Sequence, residues 1–159
     1  MDSSSFDSGS FIGVISDTHG LVRPSALEAL AGARRILHAG DIGGPEVLRA
    51  LESVAPVTAV RGNTDVEPWS RALPAREWIA LDGVDGYMLH DRATLDLDPK
   101  AAGLAVVISG HSHRPEVLER NGVLYLNPGS AGPRRFQLPV TVARLYLQAG
   151  RVRAEIVAV

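Results

Sequence analysis

At 159 residues, with 45% hydrophobic and 21% charged residues, the chain has the size and composition of one globular domain able to bury about two-thirds of its unfolded surface. A formal net charge of −2 gives no global reason to bind nucleic acid or an anionic membrane, and the lack of cysteine excludes disulfides, thiolate zinc sites and cysteine nucleophiles. Any metal must be held by nitrogen and oxygen.

The first ten residues, Met1 to Ser10, are mostly Ser, Asp and Gly, without the basic and apolar regions of a signal peptide, so residues 1–10 read as a disordered tail. No run of about 18 apolar residues follows, and a cytoplasmic protein is the expectation. Phe11 to Ile15 is an apolar run that stops at Ser16-Asp17-Thr18-His19-Gly20. Pro24 to Gly32 predicts a short helix, with Ser25 as its cap, Leu27, Leu30 and Ala31 on one face, and Gly32 as its stop. Arg35 to His38 is a second strand, ending at Ala39-Gly40-Asp41. Pro45 opens a second helix with an apolar stripe at Val47, Leu48, Leu51 and Val54. Pro56 to Val60 is a third strand, running into Arg61-Gly62-Asn63-Thr64-Asp65.

The second half is richer in hairpins. Glu77–Leu81 and Gly86–Leu89 are strands joined across Asp82-Gly83, and the second ends at His90-Asp91. Residues 92–103 are short for a full crossover helix and contain Pro99, and a buried strand follows at Leu104 to Ile108. That strand leads into Gly110-His111-Ser112-His113. Val117–Glu119 and Val123–Leu126 flank Arg120-Asn121-Gly122, and Val140–Leu147 with Arg151–Val157 make a closing hairpin. A β-α-β-α-β start with antiparallel additions predicts an α/β architecture of two packed sheets with helices outside.

Asp17, His19, Asp41, Asn63, His90, His111 and His113 each fall just past a predicted strand, and the carboxyl ends of parallel strands form the rim where ligands bind. Singly, each has an ordinary reading. An Asp near a strand end is usually a turn former or helix cap, Asn63 follows a glycine as turn residues do, and His38, inside an apolar run, reads as a packed histidine. Jointly those readings fail, because four of the five histidines would have to reach strand ends by chance. A mixed imidazole, carboxylate and amide set suits Mn, Fe, Ni, Co or Zn better than Mg or Ca. Seven ligands exceed one open catalytic ion but suit two, roughly 3.5–4 Å apart and sharing a carboxylate, which can clamp a phosphate and lower the pKa of water to about 7.

In this order, Asp17-x-His19, Gly40-Asp41, Gly62-Asn63-Thr64-Asp65, His90 and Gly110-His111-Ser112-His113 resemble the signature of the calcineurin-like metallophosphoesterases. The short length and Asn127-Pro128-Gly129-Ser130 resemble its small bacterial and archaeal phosphodiesterase branch, which shares its fold with Vps29. The resemblance implies a single domain over residues 11–159, a four-layer αββα sandwich, and a phosphodiesterase in which a metal-bridging hydroxide cleaves a P–O bond. It implies that Asp17, His19 and His113 hold one ion, that Asp41 bridges, and that Asn63, His90 and His111 hold the other. His111 and His113 must then diverge to different ions, and the freedom of Gly110 in φ and ψ is expected to allow it. Asp41 and Asn63 would serve catalysis directly, Asn63 by touching a phosphoryl oxygen. Two divalent ions are implied, Mn2+ first, with Ni2+, Fe2+, Co2+, Zn2+ or Mg2+ as alternatives.

Two positions depart from that family. Asp91 stands where a glycine is usual after the fourth-motif histidine, in a place where left-handed torsions are expected and where a carboxylate adds negative charge; this makes His90 the ligand most in doubt. Thr64 stands where larger relatives carry a leaving-group histidine, so slow turnover or activated leaving groups are expected. Asp65 is expected to orient a loop or ligand, and Arg61 and Arg134, with Arg23, Arg114 and Arg135, are candidates for touching substrate. The expected partner is a small phosphodiester or phosphoester, with no membrane and no nucleic acid, while the oligomeric state stays open, a homo-oligomer included. The other class of reading is a Vps29-like scaffold with a residual metal pocket and no chemistry.

Overall fold

The computed structural model describes residues 10–159, so the tail expected over residues 1–10 lies, Ser10 apart, outside the described residues. In chain order the elements are β1 (Ile12–Ile15), α1 (Pro24–Leu30), β2 (Arg35–His38), α2 (Pro45–Glu52), β3 (Val57–Ala59), β4 (Arg76–Leu81), β5 (Val84–Leu89), β6 (Val106–Ile108), β7 (Glu116–Arg120), β8 (Val123–Asn127), β9 (Thr141–Gln148) and β10 (Arg151–Ala158). Short 3-10 turns cover Pro68–Ala72 and Arg92–Thr94. The strands form two mixed five-stranded sheets, β10-β9-β1-β2-β3 and β4-β5-β6-β8-β7, the α/β sandwich expected.

Each sheet contains a parallel triplet in flush register. In the first, Ile15 pairs with His38 and His38 with Ala59; in the second, Met88 pairs with Ile108 and Ile108 with Leu126. Chain segments leaving β1, β2, β3, β5, β6 and β8 therefore emerge along aligned edges, and this is what positions the site. Of the three antiparallel hairpins, β9–β10 and β7–β8 each close one edge of a sheet, and β4–β5 closes the other edge of the second. The β7–β8 turn places Asn121 and Gly122 at positive φ, the chemistry that the Asn-Gly pair predicts.

Side-chain alternation divides the core. Ile12, Val14, Leu37 and Val60 from the first sheet meet Ile79, Met88, Val106, Ile108 and Leu126 from the second, and each large side chain buried there contributes on the order of 1.5–3 kcal/mol. The other face of the first sheet takes both helices, through Ala26, Ala29 and Leu30 of α1 and Val47 and Leu51 of α2. Helix α1 starts on Pro24 with no side-chain cap, so Ser25 does not cap it; Ala31 lies past its end, exposed, and Ala26 and Ala29 complete the buried stripe instead. Among the described residues the outer face of the second sheet carries no α-helix. Leu89, Leu104, Val107 and Val123 are covered by Leu95, Leu97 and Ala102 from the short 92–103 segment, so the fourth layer is a loop with one 3-10 turn. Among the described residues no helix is long and apolar enough to cross a membrane.

Candidate metal centre

Beyond the strand ends, the loops after β1 and β2 continue to pair: Asp17 N donates to Gly40 O, His19 N to Asp41 O and Gly20 N to Ile42 O, at 3.0, 3.0 and 2.8 Å. Asp17, His19, Asp41, His111 and His113 all adopt left-handed torsions, with φ between 47° and 73°. Such torsions cost about 1–3 kcal/mol each for non-glycine residues, although Asp and His tolerate them better than most. Together they approach the net stability of a whole domain, so tertiary contacts must hold them. The turns redirect each side chain from the strand's alternating path toward one centre.

The divergence of His111 from His113 was expected to come from the torsional freedom of Gly110. Instead the two histidines themselves take the left-handed turns, and Gly110 does not. Its role is close approach: a Cβ there would fall 2.6 Å from Asp17 Oδ2 and closer still to Ser16 Oγ. Gly62 has the same reason to be glycine, since its Cβ would fall 2.8 Å from Asp41 Cγ.

Asp17 is fully buried and lies at the middle of the cluster. Its Oδ2 accepts from Ser16 Oγ at 2.7 Å and from His111 N at 3.0 Å, which aims Oδ1 at the imidazoles. That Oδ1 is 3.3 Å from His113 Nε2, 3.8 Å from His90 Nε2 and 3.9 Å from His19 Nε2. Asp41 Oδ2 lies 3.2 Å from His90 Nε2 and 3.7 Å from His19 Nε2, while its Oδ1 accepts from Thr64 N at 3.0 Å. Two groups, Asp17 with His19 and His113, and Asp17 with Asp41 and His90, each offer three ligand atoms within 4.8 Å of one another. Asp17 Oδ1, His19 Nε2 and His113 Nδ1 are buried without a hydrogen-bond partner. Buried polar atoms are rarely orphaned, and a converging set of carboxylate and imidazole atoms is the donor chemistry a divalent cation satisfies. The residues fit the metal ions their chemistry implies.

His90, the ligand the sequence placed most in doubt, is buried. Its Nδ1 donates to Ala39 O at 2.8 Å, which leaves Nε2 facing the carboxylates. Asp91 is extended, with φ −115°, so the left-handed torsion expected there does not occur. His111 is half-exposed, and its Nδ1 lies 3.4 Å from His90 Nε2. Asn63 sits exposed on the loop after β3, with no side-chain hydrogen bond among the described residues; its neighbour Thr64, not Asn63, contacts Asp41.

Asp65 is buried and joins the β2 and β3 exit loops by accepting from Ile42 N, Gly43 N and Gly62 N at 2.8–3.2 Å. Arg61 donates to Leu73 O and Arg23 to Gly132 O, so both are occupied. Arg114 and Arg134 are exposed without side-chain partners among the described residues. No structural role was expected for Ser16, Thr18 or Asn127. Asn127 Nδ2 donates to Gly110 O at 2.9 Å, holding the turn before His111, and its place at the end of β8 was the available signal.

His38 is fully buried, and burial is the main cause of a pKa pushed down to about 3, with nearby His90 adding to it. Gly40 N donates to its Nδ1 at 3.1 Å. The Nε2–H therefore donates to Thr18 Oγ1 at 3.0 Å, and Thr18 donates to Ile42 O at 2.8 Å. This chain of bonds straps the β1 exit to the β2 exit. Burial opposes ionisation of Asp41, but hydrogen bonds from His90 and Thr64 outweigh it and hold the carboxyl well below the usual range. Burial likewise opposes the charged form of His90, yet the bond to Asp41 and the charge of Asp17 raise its pKa. Burial, with the charges of Arg135 and His19, lowers that of His113 against the pull of Asp17.

Residues 11–150 match the calcineurin-like phosphoesterase superfamily domain, and the chain belongs to that superfamily. It thereby falls among phosphoester hydrolases that work with divalent metal ions. A probable metallophosphoesterase of Methanothermobacter thermautotrophicus is 38% identical over 157 residues, covering 92% of this chain and 91% of the relative. Among solved structures, an archaeal phosphodiesterase superposes with a TM-score of 0.77 at 24% identity, over 92% of this chain and 99% of that one. Vps29 of Cryptosporidium parvum superposes with a TM-score of 0.74 at 19% identity, over 94% and 97%. At those identities the structures speak for the fold alone.

Proposed function

We propose that this protein is a phosphodiesterase with a dinuclear metal centre. Asp17, His19 and His113 would hold one ion, His90 and His111, with Asn63 swung inward from the rim, would hold the other, and Asp41 would serve both. The observation that carries the reading is Asp17 Oδ1, a buried carboxylate oxygen without a hydrogen bond and with three imidazole nitrogens within 4 Å. When bound, the ions supply charge stabilisation and a nucleophile at neutral pH. The chain does the rest. His38, Thr18 and Asp65 fix the loops that carry Asp17 and Asp41, and Ala39 O orients His90. A cavity of about 330 Å³ beside His111 shares Arg92, Ser112 and Glu116 with one of about 510 Å³ that Arg114 and Leu138 also line. That cleft takes the esterifying groups of a small diester, with Arg114 available to an anionic substituent. Asn63, once swung inward, would touch a phosphoryl oxygen, while Thr64 N–H stays on Asp41 Oδ1.

Hydrolysis of bis(p-nitrophenyl) phosphate against p-nitrophenyl phosphate, with Mn2+, Ni2+, Zn2+ or Mg2+ added to stripped protein, tests this. Diester cleavage that depends on metal, with Mn2+ the first to try, and that is lost in Asp41→Asn is expected. Activity that survives chelation or Asp41→Asn overturns the dinuclear reading, and inactivity with every metal favours the Vps29-like scaffold.

A further inference from the structure

Asp91 is the charged residue at the centre for which the reading above has no use. Its backbone is extended, and its Oδ1 accepts from Ala93 N at 3.0 Å, capping the Arg92–Thr94 turn. Thr94 Oγ1 also donates to Asp91 O at 2.7 Å, so the residue is held at both ends. With Oδ1 occupied, Oδ2 is presented to the cleft, 3.8 Å from His111 Nε2. The imidazole of His111 thus lies between two groups: Nδ1 faces His90 Nε2 at 3.4 Å and Nε2 faces Asp91. The two rings stand edge to face, with centroids 5.1 Å apart. Half-exposed on a left-handed turn, His111 has little packing to set its ring orientation.

From this geometry we infer that Asp91 is a positioning residue for His111. Its carboxylate draws the Nε2–H toward itself, through a small ring rotation or one bridging water, and so leaves the Nδ1 lone pair facing the centre. The inference rests on the dinuclear reading for its consequence: the second ion would be held by a histidine whose tautomer Asp91 selects. The carboxylate that looks misplaced beside a metal site therefore supports metal binding from outside.

The test separates capping from orientation. Asp91→Ser keeps an oxygen that can cap Ala93 N but is too short to reach His111, and Asp91→Asn keeps the cap through its single amide oxygen but turns an NH2 donor toward His111 in place of the acceptor. In metal-free protein, long-range 1H–15N spectra of His111 should show the Nε2–H tautomer in wild type, a mixture in Asp91→Ser and the Nδ1–H tautomer in Asp91→Asn. In calorimetric titration with Mn2+, Asp91→Ser should weaken the second ion by about 10–100-fold and leave the first unchanged, with Asp91→Asn weakened at least as much. A wild-type tautomer and affinity in Asp91→Ser overturn the inference, as does an Nε2–H tautomer that persists in Asp91→Asn. Wild type that binds fewer than two ions overturns the dinuclear reading instead, and the metal-free spectra still decide the role of Asp91.

Discussion

The two halves of the centre are built differently. Asp17, Asp41, His90 and His113 are buried, and the first three are held by hydrogen bonds with the backbone, whereas His111 and Asn63 stand at the rim with solvent on one side. The buried half is imposed by the fold itself, because the flush strand ends leave those side chains few other places to go. The rim half depends on loop residues and on whatever neighbours orient them. A site of this kind should keep one ion tightly and exchange the other.

The largest expected effect breaks the buried half. Asp41→Ala removes the carboxylate proposed to serve both ions, so elemental analysis should find neither ion, and kcat/KM for the diester should fall on the order of 10³-fold or more, as several kcal/mol of charge stabilisation are lost. His111→Ala should leave one ion in place; loss of both ions there would erase the distinction between the halves. Gly110→Ala comes next. Its new methyl meets Ser16 and Asp17 across the junction of the halves, and an overpacking cost of about 1–3 kcal/mol should appear in thermal unfolding. A misplaced Asp17 should also lower kcat/KM by about 10²-fold.

A pH titration of metal-free protein sharpens the contrast further. Unfolded His38 takes up a proton near pH 6.5, while the folded residue resists down to about 3, so stability should fall as pH drops through that window. His113, lowered as well, acts in the same direction, and His90, raised, opposes it: its contribution is full below pH 6.5 and is lost as pH rises through its higher folded pKa. Asp41 contributes above its ordinary range near 3.8 and loses that only at lower pH. Urea unfolding at pH 4.5–7 should therefore show a flatter acid slope in His38→Gln than in wild type. The smallest effect is expected at Arg61→Ala. Its guanidinium is engaged by Leu73 O, and kcat/KM should change by less than about twofold.

Much of this was legible in the sequence because strand ends are marked locally. Apolar runs that stop at Asp, His or Asn announced which residues leave the sheets at the rim, and Asn121-Gly122 announced its own turn. What escaped was set by tertiary packing. No local pattern says that Asp17 and Asp41 turn left-handed, since that choice is held by bonds between loops about two dozen residues apart in sequence. Gly110 was rightly singled out for the wrong reason, because a crowding side chain from another strand leaves no trace beside it in the sequence. Ser25 looked like a cap, but Pro24 already supplied the start of the helix.

The thin layer over the second sheet gives the molecule an uneven resistance to opening. Segment 92–103 covers Leu89 and Val107 with a few apolar side chains and a single 3-10 turn, while the helices on the opposite face bury two full stripes. Amide protons in that segment should exchange with solvent by local opening well before those of β1 and β2, whose release needs the sandwich to come apart. Such openings would lift Asp91 and the wall of the cleft away from His111 while Asp17 and Asp41 stay in place. The breathing of the outer layer would then set how quickly the rim admits substrate and lets product go.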